Sequence, residues 1–276
     1  MNYKQKYKNL YQATSLSDYD ISSEIDFVIE MLTGLSSTDI LLGKEISSAD
    51  DIKISEILKE RVSTNRPLQQ ILGKAYFAGN IYSVNKYTLI PRPETEFLVE
   101  KCKQEFPKDK IIKILDIGTG SGCIAIELAK YYTNAKVTAV DICQEAVDKA
   151  IENARNFCVL PKINFLISNV FSNVQESFDI IVSNPPYIPF STKIQNDVYD
   201  YEPHTALFAE DEGLFFYKKI ITEGKNFLNK NSLLAFEVGF NQGHDVAEIF
   251  KQNGYVNILF TQDCDSINRV VSANYL

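Results

Sequence analysis

From residue 111 onward the chain alternates short apolar runs with helical patterns, and that alternation leaves few architectures open. Runs suited to buried strands fall at 111–116, 136–141, 163–167, 179–184, 232–238, 256–260 and 269–273. Helical spacing fills most of the gaps, through Ile124, Leu128 and Ala129, then over 145–156, 213–227 and 245–252. Strands interleaved with helices build a mostly parallel, doubly wound α/β sheet, here of seven strands. In such sheets ligands sit at the carboxyl tips of the strands. The fourth run, Asp179-Ile-Ile-Val-Ser-Asn184-Pro185-Pro186-Tyr187, ends on an amide, two prolines and a ring. Proline lacks the N–H that a central strand must donate, so the strand stops at Asn184. An Asn carbonyl, a proline backbone carbonyl and a flat ring beside them form a holder for a planar NH2 group. A proline-rich loop after a core strand would read the same way.

The segment before that sheet has a different rhythm. Ile21, Ile25, Val28 and Leu32 lie on one helical face, with Gly34 as a stop, and Ile54, Ile57, Leu58 and Val62 repeat the pattern after Ser48-Ala-Asp-Asp. Residues 1–73 are expected to form a small helical domain that serves substrate choice or caps the fold. Gly79-Asn80 between Tyr76-Phe77-Ala78 and Ile81-Tyr82-Ser83 predicts a β-hairpin, so 74–90 reads as a linker and 91–276 as the sheet domain. Pro93 suits a first helical position, and Glu94 and Glu96 suit the positive amino end behind it.

A net charge of −8 argues against a surface that tracks a nucleic-acid backbone. No leader or membrane-length apolar run is present, so a cytoplasmic location is expected, and a monomer. Five cysteines, odd in number and without a Cys-x-x-Cys pair, argue against disulfides and a zinc site, and neither His204 nor His244 has a partner at metal spacing.

The first strand leads into Asp116-Ile-Gly118-Thr119-Gly120-Ser121-Gly122. This spacing is not the Gly-x-Gly-x-x-Gly of dinucleotide sites, since position 123 is Cys. Glycines still let a backbone approach a ligand at a strand-to-helix turn. Asp116 would repel a pyrophosphate but suits an ammonium, and Asp141 at the next tip suits two ribose hydroxyls. S-adenosylmethionine has a ribose, a cationic amino-acid end and no phosphate. A glycine turn without a ligand remains the other reading of this stretch alone.

Taken with Asn-Pro-Pro-Tyr, the pattern resembles class I methyltransferases that act on amino groups conjugated to a π system. Closer still is the resemblance to the release factor glutamine methyltransferases. It rests on Arg66-Pro-Leu-Gln69, Gly73, Phe77, Leu89-Ile-Pro-Arg-Pro-Glu-Thr-Glu96, Glu202-Pro203, Asp211-Glu-Gly-Leu214, Glu237-x-Gly239-x-x-Gln242-Gly243 and Asp265-x-x-x-Arg269. The resemblance implies methyl transfer from S-adenosylmethionine to the glutamine side chain of the Gly-Gly-Gln loop in class 1 release factors. It implies cofactor binding by Gly118, Thr119, Gly120, Ser121, Gly122, Asp141, Asn169, Val170 and Asn184. It also implies a substrate holder of Asn184, Pro185, Pro186 and Tyr187, with Asn184, Pro185 and Tyr187 catalytic and no metal. Asn169-Val170 departs from the Ser-Asp-x-Phe common at this point in the family; Val170 would lie over the adenine. Arg92 and Glu94 read either as loop charges or as groups closing over the cofactor. Arg66, Glu202 and Glu237 read as structural ion pairs or caps, and Asp265 and Arg269 as a terminal hairpin pair. The alternatives are a ribosomal-protein glutamine methyltransferase, whose members carry Pro-Arg-Ser-Pro where this chain has Pro91-Arg-Pro-Glu94, a DNA adenine methyltransferase, and a silent cofactor-binding partner. DNA methylation would call for basic target-recognition loops that an acidic chain does not supply.

Overall fold

The computed structural model describes residues 3–12, 14 and 16–276; Met1, Asn2, Ala13 and Ser15 of the expected helical domain lie outside the described residues. The chain divides into two compact units, one of residues 1–74 with 195–201 and one of 75–194 with 202–276.

The first unit is helical: α1 (Tyr3–Lys8), α2 (Asp18–Thr33), α3 (Ser37–Leu41), α4 (Ser48–Thr64), α5 (Leu68–Leu72) and α9 (Asn196–Tyr201). Ser17, Ser36 and Ser47 cap the starts of α2, α3 and α4 by accepting from a backbone N–H three residues on. Gly34 and Asn65 end α2 and α4 in the left-handed conformation. The predicted faces meet, Ile21, Ile25 and Val28 packing with Ile54, Leu58, Tyr7 and Tyr11. Arg61 pairs with Glu24 at 2.9 Å, and Tyr11 donates to the same Glu24 carboxylate. Arg66 bridges Glu60 and the Gln70 carbonyl within this unit.

The second unit opens on the hairpin of β1 (Lys74–Phe77) and β2 (Asn80–Ser83). Its turn is Ala78-Gly79, one residue earlier than the sequence predicts. Both have positive φ, 48° and 70°, as a turn matched to strand twist requires. Asn80 begins the second strand and donates from Nδ2 to the Ala78 carbonyl at 2.8 Å. Then follow α6 (Pro93–Lys103), β3 (Lys113–Ile117), α7 (Cys123–Tyr131), β4 (Lys136–Asp141), α8 (Gln144–Asn156), β5 (Ile163–Ile167), β6 (Phe178–Ser183), β7 (Ile188–Pro189), α10 (His204–Leu207), β8 (Phe208–Ala209), α11 (Phe215–Gly224), β9 (Leu228–Glu237), α12 (Gly243–Gln252), β10 (Val256–Gln262) and β11 (Asn268–Tyr275).

Seven strands form one sheet in the order β10-β11-β9-β6-β3-β4-β5. Every pairing is parallel except those of β11, which is antiparallel to both β9 and β10. Two apolar cores, on Leu98, Ile124 and Ile126 and on Tyr217, Ile220 and Phe250, cover its faces as a doubly wound sheet demands. The chain order reverses between β3 and β6, which opens a crevice at their carboxyl ends. The sheet is the α/β class I methyltransferase fold read from the sequence. The small parallel pair β7–β8 and the segment α9–α10 carry no strong period and escape a reading based on periodicity.

Gly122 caps the start of α7 at φ +82°, and a Cβ there would meet the Ala150 Cβ at 3.0 Å. Gly122→Ala is therefore expected to destabilise the fold by about 1–3 kcal/mol through left-handed strain and overpacking. The midpoint of urea unfolding measures it.

Candidate active site

Strand register sets the site. Ile117 pairs with Val140 on one side and with Ser183 on the other, and Ser183 pairs with Phe236. The next residues, Gly118, Asp141, Asn184 and Glu237, thus leave four neighbouring strands in one row. Ser183 Oγ donates to the Ile117 carbonyl at 2.7 Å and locks two of the tips together. A cavity of ≈ 490 Å³ runs past Gly118, Asp141 and Asn184 of this row, and Glu237 lies outside its wall. The wall includes Gly118, Thr119, Gly120, Ser121, Asp141, Asn169, Val170, Asn184, Pro185 and Pro186 of the predicted residues. Gly122 and Tyr187 stand outside it, Gly122 at the packed start of α7.

The glycine turn is tethered to β4. Gly118 and Thr119 N–H groups both donate to the Val140 carbonyl, and the Gly120 N–H donates to Asp141 Oδ2 at 2.9 Å. Asp141 Oδ1 accepts from the Cys143 N–H at 3.0 Å. Each oxygen keeps a lone pair, because an ionised carboxylate has about four acceptor sites. Burial raises the Asp141 pKa, and these N–H groups oppose the rise. At Gly118 and Gly120, φ is +73° and +54°, and no atom would touch a Cβ within 4 Å, so the turn is shaped by conformation over open space.

Asp116 lies fully buried under this turn. Its Oδ2 accepts from Thr119 Oγ1 at 2.6 Å and from the Ala125 N–H at 3.2 Å, while Oδ1 has no partner. Burial pushes its carboxyl up to about 7. A buried carboxylate oxygen with nothing to accept is costly and marks a place for a donor. Beyond β5, Ser168 Oγ donates to the Val170 carbonyl and accepts from the Asn173 N–H, while Ser172 Oγ accepts from the Asn169 N–H. These bonds hold Val170 at φ +57°, a strained value for a β-branched residue, with its side chain buried and Asn169 exposed.

At the β6 tip, Asn184 Nδ2 donates to Thr95 Oγ1 at 3.2 Å, which leaves Oδ1 as the group to accept from a ligand. Thr95 Oγ1 donates in turn to Glu237 Oε2 at 2.5 Å, and Tyr187 OH donates to Glu237 Oε1 at 3.3 Å. Glu237 is buried, and burial pushes its carboxyl up to about 7, against the Thr95 hydrogen bond and with the nearby Glu94 charge. The same burial raises Tyr187, helped by Glu237. The Tyr187 carbonyl accepts from Gln242 Nε2 at 2.9 Å, and Gly239 N–H donates to Gln242 Oε1. Gly213, at φ +82°, lies against that carbonyl so closely that a Cβ would sit 2.1 Å from it. The distant motifs around 213, 239 and 242 are the clasp of the Asn-Pro-Pro-Tyr loop.

Sequence reasoning gave Thr95 no role of its own within the Leu89–Glu96 motif, yet its hydroxyl links α6 to two strand tips. Arg92, on the cavity wall, pairs with buried Glu202, whose other oxygen accepts from the Ile90 N–H, so both serve to fix the entry to α6. Arg269 pairs with Asp263 at 2.8 Å rather than with Asp265, whose N–H donates to Asp263 Oδ1, because Asp263 lies at the turn end of the terminal hairpin.

A cavity at the carboxyl tips of a sheet with this strand order is where a class I methyltransferase holds its ligands, and relatives of known sequence point to the same class. The methyltransferase small domain family matches residues 93–199. The release factor glutamine methyltransferase of Lactococcus lactis is 42% identical over 242 residues, covering 87% of this chain and 88% of its own length. That of Flavobacterium psychrophilum is 37% identical over 275 residues, covering 95% of each. Among solved structures, the hMettl16 catalytic domain in complex with MAT2A 3'UTR hairpin 6 is similar at TM-score 0.57 and 15% identity, covering 96% of this chain and 95% of its own. A Pyrococcus furiosus methyltransferase is similar at TM-score 0.52 and 19% identity, covering 81% and 98%. At such identities the likeness is one of fold. The chain belongs to the release factor glutamine methyltransferase family.

Asp116 and Glu237 have ordinary values of 3.8 and 4.5 and are both raised to about 7 in the fold. Each neutral carboxyl favours the folded state below its unfolded value, and that contribution is lost as pH rises to about 7. Asp116→Asn and Glu237→Gln are each expected to gain on the wild type in urea midpoint between about pH 4 and about pH 7.5. Parallel midpoint curves for variant and wild type would contradict the assignment.

Proposed function

We propose that this methyltransferase takes a methyl group from S-adenosylmethionine and places it on the side-chain amide nitrogen of the glutamine in the Gly-Gly-Gln loop of class 1 release factors. The observation that carries the reading is the orientation of Asn184. Its NH2 is occupied by Thr95, so its carbonyl is the group offered to a ligand NH2 at a methyltransferase cavity. The names of relatives at up to 42% identity support the same acceptor.

The residues present fit the cofactor. The orphaned Asp116 Oδ1 beneath the glycine turn marks a deficit of positive charge or donors on that side. Asp141 keeps a lone pair on each oxygen at the cavity wall, as a ribose diol requires. Gly118, Thr119, Gly120 and Ser121 would hold the amino-acid end, and Asn169 and Val170 the adenine. Gly122 would act indirectly, by keeping α7 close under that turn. When bound, S-adenosylmethionine supplies an electrophilic methyl on a sulfonium and leaves as S-adenosylhomocysteine.

An amide nitrogen is a weak nucleophile because its lone pair is shared with the carbonyl. Asn184 Oδ1 and the Pro185 backbone carbonyl accept the two N–H bonds of the glutamine amide. Two acceptors fix its plane and favour a pyramidal nitrogen whose lone pair faces the cofactor. Pro186 and the Tyr187 ring complete the holder. The methylated amide cation is a strong acid, so its proton leaves without a dedicated base. Alignment supplies most of the acceleration, since well-oriented reactants gain on the order of 7–11 kcal/mol. Acceptors held ready for the charge that develops on the N–H bonds supply more. The helical domain, 1–73, carries none of these groups and is assigned a part in choosing the protein substrate, in the cytoplasm where release factors work.

Removing one preorganised partner of a developing charge costs about 10²–10³ in rate, so Asn184→Ala should lose that much turnover while its affinity for S-adenosylmethionine stays within about threefold. Isotopically labelled methyl offered with release factor, ribosomal protein and DNA in separate reactions tests the acceptor. Label is expected on the release factor; label on either other substrate alone overturns the reading.

A further inference from the structure

Glu237 is an acid buried at the tip of β9, where both its oxygens take hydroxyl donors rather than a cation, Thr95 on one and Tyr187 on the other. Arg269 is near enough to be felt, but its Nε donates to Asp263. A buried acid without a paired cation is expensive to keep, and such groups mark function more often than stability. We propose that Thr95 and Glu237 are positioning residues that fix which way round the Asn184 amide stands, and so present its carbonyl to the substrate NH2.

The argument is one of donors and acceptors. Burial raises the Glu237 carboxyl to about 7, so above that pH it is ionised and only accepts, and the Thr95 hydroxyl must then send its proton to it. With that proton committed, Thr95 Oγ1 can only accept along the line to Asn184, and only the NH2 of Asn184 can donate to it. A flipped Asn184 would set Oδ1 against Oγ1 with no hydrogen between them, and would offer an NH2 to a substrate NH2. Asparagine alone has no such preference, because its two ends are nearly the same size. Tyr187 donates to the other oxygen of Glu237, so one carboxylate orders both ends of the Asn-Pro-Pro-Tyr holder. The groups facing Glu237 are Thr95 and Glu94 of α6, Tyr187 of the loop, Arg269 of β11, Cys123 of α7 and Tyr217 of α11, whose OH donates to the Glu237 backbone carbonyl. Of these, Thr95 alone touches both Glu237 and Asn184. The inference rests on the reading of Asn184 as the acceptor for the glutamine amide.

Thr95→Val keeps the shape and removes the hydroxyl; Thr95→Ser keeps the hydroxyl; Glu237→Gln offers Thr95 a donor and lets the chain of bonds run backwards. Thr95→Val and Glu237→Gln should each lower kcat on a release factor by about tenfold or more, with KM for S-adenosylmethionine within about twofold, and Thr95→Ser should restore kcat to within about threefold. The second readout needs no substrate. Hydrogen exchange of the Asn184 side-chain NH2, assigned by its loss in Asn184→Ser, should speed up about tenfold in Thr95→Val and stay near wild type in Thr95→Ser. If Thr95→Val does not fold, Thr95→Ala against Thr95→Ser decides by the same comparison. Wild-type exchange or wild-type kcat in the variant without a hydroxyl overturns the positioning role. A wild-type protein that leaves release factors unmethylated overturns the substrate reading instead, and the exchange rates still decide the relay.

Discussion

The parallel register of four adjacent strands is the constraint on which everything else in this protein depends. Because β4, β3, β6 and β9 run in one direction, their carboxyl tips fall in a row, and Asp141, Gly118, Asn184 and Glu237 each follow the last residue that these four strands pair with one another. A one-residue slip in any of them would turn the tip residue to the other face of the sheet. The two buried cores hold that register. The chemistry can therefore be shared among residues more than a hundred positions apart, and the loops only need to dress the tips.

The site is built around acids placed where water cannot reach them. Asp116 under the glycine turn and Glu237 under the asparagine are both fully enclosed, and burial raises both. Their partners are hydroxyls and backbone N–H groups, which orient a carboxylate without neutralising it. In the first case one oxygen is left over, buried and without a protein partner. In the second nothing is left over, and the acid serves its protein neighbours. Two similar buried carboxyls thus differ in how they are satisfied, one with an oxygen unpartnered and the other with a hydroxyl donor on each oxygen.

Much of this was legible in the sequence, for physical reasons. A strand buried on both faces reads as a near-continuous apolar run, so Lys136–Asp141 falls where the pattern puts it, and the half-exposed edge strand Ile163–Ile167 is still apolar enough to be read. Prolines at 185 and 186 announce the end of β6, and glycines at 118 and 120 announce a turn of positive φ. What could not be read is whatever depends on contact across the fold. Thr95 meets Glu237 over a separation of 142 residues, and a threonine in the first turn of a helix looks like any other. Gly213 and Gln242 stood out by resemblance, without a cause; the cause is the Tyr187 carbonyl they enclose. The hairpin turn was misplaced by one residue because Asn80 resembles a turn residue, whereas Ala78 takes the left-handed position and Asn80 ties it from the strand.

The account stands or falls on which atom of which residue receives the methyl group. Tandem mass spectrometry of a release factor incubated with the protein and S-adenosylmethionine addresses it directly. The predicted result is a single added methyl on the Gly-Gly-Gln peptide, with fragment ions placing it on the glutamine side chain. A methyl on any other residue, or an unmodified peptide beside an enzyme that binds its cofactor, would contradict the account.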